Sequence, residues 1–311
     1  MEGLDFITNL LASTLRLATP LLLAAMAGLL SYQVGLINIA LEGLMLIGAF
    51  VAVAVGAQAG STWLGVLAAC LICMGTAALF ALFVTDLRAN LIVTGLAVNF
   101  LALGGTAYLL QVLYQTRGAY SPDNFEQLPA LAIPALSSLP VAGRLLFNHS
   151  PLVYVSWLAA PLTAIFLYRT TYGVHIRAVG ENAEAARTAG ISVRRMQYLA
   201  LVIGGLLCGL AGAHLSVGDL ALFRENMTGG RGFIALAAVY FAAGRPRLAA
   251  LACLLFGLFQ ALQFRLQTTT NIPTQFFQML PYLVVILTLT VISARREWKR
   301  GRVGWGVWRC W

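Results

Sequence analysis

The residues able to do chemistry are few, and their spacing excludes most reactions. The three histidines, His149, His175 and His214, are scattered without the spacing of metal ligands, and neither an HExxH nor a GxSxG run occurs. The one lysine, Lys299, stands between Trp298 and Arg300, so no GxxxxGK(S/T) loop exists to cradle phosphates. The chain therefore cannot hydrolyse ATP by that route, and energy must come from a partner chain, an ion gradient or the solute's own gradient. Proton-driven carriers keep carboxylates within their spans, and Glu42 is the one clear case here. Of the five cysteines, Cys70, Cys73, Cys208 and Cys253 lie in apolar runs and read as small buried hydrophobes. The expectation is a non-enzyme with no catalytic residue, no metal and no cofactor.

What remains is a set of polar and aromatic groups inside apolar sequence. A polar side chain in hydrocarbon is costly unless it is paired or faces water, so each is a candidate for a solute path. Asn38 and Glu42 open one apolar run, where they either touch solute or cap a helix start. Asn99 lies mid-run, facing solute or bonding a neighbouring helix. Tyr108, Phe233 and Tyr240 either stack on a flat solute or pack. Gly205, Gly209 and Gly212 recur every three or four positions, a stripe that allows close helix packing.

The elements that position these groups follow from composition. Of 311 residues, 60% are hydrophobic and 10% charged, against about 25% charged in a soluble domain. Windows of about 20 apolar residues can cross a bilayer, and nine occur: roughly 11–31, 37–57, 63–84, 91–115, 151–169, 196–217, 231–244, 248–267 and 276–294. The seventh is short, re-entrant or half-buried. The expected fold is an all-α polytopic integral membrane protein of eight to ten helices.

The net charge of +9 does not indicate nucleic acid, because the bases cluster in 169–195 and 295–309 while the spans carry almost none. Both clusters belong in the cytoplasm under the positive-inside rule. That places the N-terminus outside, the C-terminus inside, and the loop 116–150 outside. The first apolar run lacks a basic leader and reads as a retained span. The expected organisation is one transmembrane domain over 1–295, followed by a basic, Trp-containing cytoplasmic tail over 296–311.

The loop 170–195 holds "VGENAEAARTAGISVRR" (179–195). Asn182 is a good N-cap, Glu184 suits the first turn, Arg187 lies one turn on, and Gly190 suits a left-handed end. The spacing predicts a helix over 183–189, roughly 10 Å long. It is too short to span, and a two-turn helix alone is marginal. It either ties two spans together or docks in a groove of another protein.

"VGENAEAARTAGI" (179–191) resembles the coupling-helix loop of ABC importer permeases in the simple-sugar and nucleoside branch. "VGLINIALEGLMLIGAF" (34–50), "TGLAVNFLALGGTAYLL" (94–110), "GRGFIALAAVYFAAGRPRLAALACLLFGLFQAL" (230–262) and "MLPYLVVILTL" (279–289) resemble the same branch in order. The pair Glu42-Gly43 is closer to its nucleoside members. "FAAGRPR" (241–247) departs from the family's Gly-Gly-Arg-Asn-Pro-like run. The resemblance implies a permease of the bacterial inner membrane carrying nucleosides or a related sugar-like solute. Its implied partners are a separate ATP-binding cassette ATPase, a second permease, distinct or identical, and an extracytoplasmic solute-binding protein. The implied ATPase contact is Gly180, Glu181, Asn182, Glu184, Ala185, Ala186, Arg187 and Gly190. A secondary carrier or a channel, acting without an ATPase, is the alternative.

Overall fold

The computed structural model describes residues 2–122, 125–132, 148–269 and 290. Its helices are α1 (Glu2–Gln33), α2 (Leu41–Ala59), α3 (Thr62–Ala81), α4 (Leu91–Tyr114), α5 (Pro151–Arg169), α6 (Thr171–Glu181), α7 (Ala183–Thr188), α8 (Val193–Ala213), α9 (Arg231–Phe241) and α10 (Pro246–Thr269). Helices α3 and α8 each run on into one π-helical turn, Leu82–Asp86 and His214–Gly218. The chain divides into two compact units, Met1–Leu258 and Phe259–Trp311. The packing that follows belongs to the first.

Among the described residues, seven helices are long and apolar enough to cross a membrane, which makes this an all-α polytopic membrane protein. They fall on seven of the nine windows in the sequence. Window 276–294, apart from residue 290, and the tail lie outside the described residues. Window 231–244 is short in the structure as in the sequence: α9 has eleven residues, about 16 Å at 1.5 Å each, against a roughly 30 Å hydrocarbon core.

Local chemistry explains where the helices begin and stop. Asn90 caps α4 by accepting from the Ile92 and Val93 amides at 3.0 and 3.2 Å, and Thr170 caps α6 through Gly173 N at 3.1 Å. Pro151, which has no N–H to lose, opens α5. Gly60, with φ +63°, closes α2 in the left-handed region that suits glycine.

Helices α2 and α8 form the centre. Residues of α2 and of Val193–Gly218 are 78% buried over their apolar windows, against 17% for α4. Helix α8 lies against α1, α2 and α3, and the glycine stripe makes this contact possible. A Cβ on Gly212 would collide with the Met45 carbonyl oxygen and come 2.6 Å from Ala49 N. On Gly209 it would lie 2.8 Å from the Ala69 carbonyl oxygen, and on Gly205 2.6 Å from that of Cys73. The backbones touch because nothing separates them.

The bundle has two distinct ends. One carries α6, α7 and the ends of α1 and α9. The other carries two antiparallel ribbons: β1 (Ala119–Tyr120) with β4 (Phe223–Arg224), and β2 (Leu131–Ala132) with β3 (Asn148–His149).

Candidate functional site

The short rod α7 is capped at both ends as its sequence requires. Asn182 Oδ1 accepts from the Glu184 and Ala185 amides, both at 3.0 Å. At the far end Ile191 N donates to the Ala186 carbonyl at 2.9 Å and Gly190 N to that of Arg187 at 3.0 Å, with Gly190 at φ +82°. That pair of bonds is a Schellman closure, and it holds in order a helix too short to persist alone. Ala186 is buried, at 4% exposure, and turns toward the chain's own helices. Glu184, Ala185, Arg187 and Thr188 form the exposed side.

The rod hangs from a tight junction. Gly180 lies so close to α1 that a Cβ there would strike the Gln33 carbonyl oxygen, and the Gly35 backbone lies alongside. Gln33 Nε2 donates to the Gly244 carbonyl at 2.6 Å, and the Tyr32 and Tyr240 rings meet edge to face at 5.4 Å. The stem of the rod, the end of α1 and the end of α9 thus border an open cavity of about 410 Å³. Its walls include Tyr32, Tyr240, Ile37, Arg177 and Glu181. Nearby, Arg194 Nη2 and the Tyr198 hydroxyl both donate to Asp86 Oδ2, at 2.7 and 2.6 Å. This ties the end of α3 to the first turns of α8. The sequence reading did not single out Asp86; its one signal is a carboxylate in the short link "TDLRAN".

Deeper in the bundle, two side chains join three helices through their backbones. Asn99 of α4 accepts from Gly43 N at 2.8 Å and donates to the Ile39 carbonyl at 2.9 Å. It thereby satisfies polar groups at the start of α2. Glu42, in the first turn of α2, accepts from Gly230 N at 2.7 Å and Gly232 N at 2.6 Å. It caps α9 rather than its own helix. A Cβ on Gly232 would come 2.6 Å from Glu42 N, so the lack of one permits the approach. Asn38 lies two residues before Ala40, the N-cap of α2. Its Oδ1 accepts from Ala40 N at 3.0 Å, a local turn that delays the helix to Leu41. Asn38 Nδ2 and Thr228 Oγ1, both buried, have no hydrogen-bond partner among the described residues.

The aromatic candidates sit apart from one another. Phe233 and Tyr240 are 44% and 41% exposed on α9, two turns apart and on one face. Tyr108 is 66% exposed on α4, where Gln111, Gln115 and Arg117 join it around an open hollow of about 540 Å³. Among the described residues no group of three His, Cys, Asp or Glu is placed to hold a metal ion.

Comparison with known proteins fits this architecture. The family described as "branched-chain amino acid transport system / permease component" matches residues 10–289. The chain is 37% identical to the guanosine ABC transporter permease protein NupQ of Bacillus subtilis, over 96% of each chain. It is 34% identical to the putative glucose ABC transporter permease protein TsgC13 of Haloferax volcanii, over 94% of each. A second guanosine permease protein of Bacillus subtilis, NupP, is 25% identical over 91% of this chain. No solved structure matches. A bundle of apolar helices, a match across nearly its whole length and a relative at 37% identity lead to one conclusion: the chain belongs to this family of ABC transporter permeases and is a multi-pass protein of the inner membrane.

Proposed function

We propose that this chain is one of two distinct permease subunits of a binding-protein-dependent importer of nucleosides, with the α7 end in the cytoplasm. The observation that carries the coupling role is the rod itself: capped at both ends, seated on its own bundle through Ala186, and exposed along Glu184, Ala185, Arg187 and Thr188. An ATPase that grips this side pulls on the Gly180–Gln33 junction, and through it on the ends of α1 and α9. A second, different permease is supported by the occurrence in Bacillus subtilis of both a nearer and a more distant relative named for guanosine. The solute path runs along the face carrying Phe233, Tyr240 and Ile37, near Asn38 and Glu42. There the unpartnered Asn38 Nδ2 needs water or solute to satisfy it. Asn99 is spent on α2 and supports this path without touching solute.

Nucleoside is the reading favoured by the 37%-identical relative, and sugar is the second, favoured by the relative named for glucose. Uptake of labelled guanosine and of labelled glucose into proteoliposomes decides between them. The vesicles hold the full complex, with ATP on the α7 side. ATP-dependent guanosine uptake is expected. Glucose uptake without guanosine uptake overturns the nucleoside reading, and accumulation by this chain without an ATPase overturns the importer reading. A cysteine at Thr188 should resist impermeant maleimide added outside intact cells, and labelling there refutes the orientation.

A further inference from the structure

Glu181 and Tyr240 enter the sequence reading with separate roles, one at the coupling loop and one in the solute path. The structure brings them to the same cavity. At about 410 Å³ it falls within the roughly 300–1,000 Å³ of small-molecule sites. Two tyrosine rings at 89° to each other form a corner, Tyr240 half-open to the cavity side. A flat heteroaromatic ring can lie on one tyrosine with its edge against the other. The floor is backbone, where Gly35 and Gly180 pack directly on each other with no side chain to rise into the cavity. Gln33 spends its amide nitrogen on Gly244, which leaves the amide oxygen as an acceptor.

The charged groups decide the rest of the ligand. Arg177 already uses Nε on the Leu167 carbonyl and lies over the Tyr168 ring at 4.8 Å. It is therefore held at the rim, with its terminal nitrogens as donors. Glu181 is exposed at the stem of the rod, and a carboxylate accepts from two adjacent hydroxyls while repelling phosphate. An aromatic corner, an amide acceptor and a diol-binding carboxylate that offsets the one guanidinium suit an uncharged ribonucleoside better than a nucleotide.

We infer that the cavity between Tyr32, Tyr240 and Glu181 is a ribonucleoside site on the α7 side of the protein, in contact with the stem of the rod. The inference rests on the importer reading and names where solute is held before release. Because Gly180 and Glu181 line the cavity and lead directly into α7, its occupancy and the position of the rod are linked. Nucleoside accumulated on that side refills the site and slows the cycle.

The test uses the full complex in nanodiscs without its solute-binding protein, so that binding outside does not contribute. Equilibrium binding of labelled guanosine is measured with competition by guanosine monophosphate and by 2′,3′-dideoxyguanosine. The wild type should bind guanosine and discriminate against both competitors. Tyr240→Leu should weaken binding roughly tenfold, the scale of losing one aromatic stacking partner, while Tyr240→Phe keeps it. Glu181→Gln should erase the preference for the ribose diol, a readout that a folding defect does not mimic. Tyr172→Phe, on α6 outside the cavity, should bind as wild type. Equal affinity in wild type and Tyr240→Leu, or an unchanged ribose preference in Glu181→Gln, overturns the site. Guanosine uptake by a complex whose Tyr240→Leu binding is unchanged defeats the cavity and leaves the importer standing. A complex that binds guanosine here with the predicted variant pattern but transports only glucose keeps the cavity and defeats the nucleoside reading.

Discussion

Replacing Glu42 by Gln tests the junction on which the inner part of the bundle depends. Glu42 is buried, at 8% exposure, and each of its two oxygens accepts one backbone N–H of α9, at 2.7 and 2.6 Å. A hydrogen bond to a charged group contributes about 1.5–3 kcal/mol. Glutamine keeps one acceptor oxygen, weakens that bond to a neutral one, and turns its NH₂ toward the other N–H. The loss is one charged bond plus part of the second, about 2–4 kcal/mol by the same scale. Because α9 is a short helix whose other end is held separately at Gln33, the loss should appear as local opening of its first turn. At about 1.4 kcal/mol per tenfold, the amides of 230–234 should exchange with deuterium roughly a hundredfold faster. Amides of α8 should not change. Hydrogen exchange read by mass spectrometry on peptides from 225–241 measures this directly. Unchanged protection there, with Glu42→Gln correctly inserted, refutes the claim that this carboxylate holds α9.

Four further outcomes follow from the geometry. Asn99→Leu strands the Gly43 N–H and the Ile39 carbonyl, each about 1–3 kcal/mol to leave unpaired; uptake and the yield of detergent-stable complex should fall together, and loss of uptake alone would put Asn99 on the solute instead. Gly212→Ala forces a methyl into the Met45 and Ala49 backbone and should lower the melting temperature of the solubilised protein by a clear margin, at about 1–3 kcal/mol of overpacking. Gly104→Ala, with open space around it, should be neutral in the same scan. Asn182→Ala removes two cap bonds, about 1 kcal/mol, and should weaken the coupling between ATP hydrolysis and uptake while insertion is unaffected; coupling at wild-type strength would show that the rod does not need its cap.

What the sequence made legible is what short range decides. Asn182 and Gly190 immediately flank the rod they close, so composition and spacing suffice to find its ends. The spans are equally local, since hydrophobic length alone marks them. The misses are contacts between distant segments. Glu42 reads as a cap for its own helix because it lies in a first turn, yet its partners are 188 and 190 residues away. Asp86 and Arg194, 108 residues apart, carry no shared pattern. Asn38 deceives in another way: its side chain bonds two residues on and closes a local turn, so α2 starts later than hydropathy suggests. Window 231–244 reads as one apolar run, and only the approaches of Gly230 to Glu42 and of Gly244 to Gln33 show where its short helix begins and ends.

A helix whose first turn is capped by a side chain from so much earlier in the chain has a consequence for how the protein is made. The donors at the start of α9 cannot be left in hydrocarbon, and the side chain that quiets them arrives nearly two hundred residues earlier in synthesis. Helix α2 must already stand in the membrane, with its carboxylate waiting, when α9 emerges from the ribosome. The order of birth of these two segments is therefore a condition of the fold, and a permuted chain that delivers α9 first would leave an intermediate for the cell's membrane proteases.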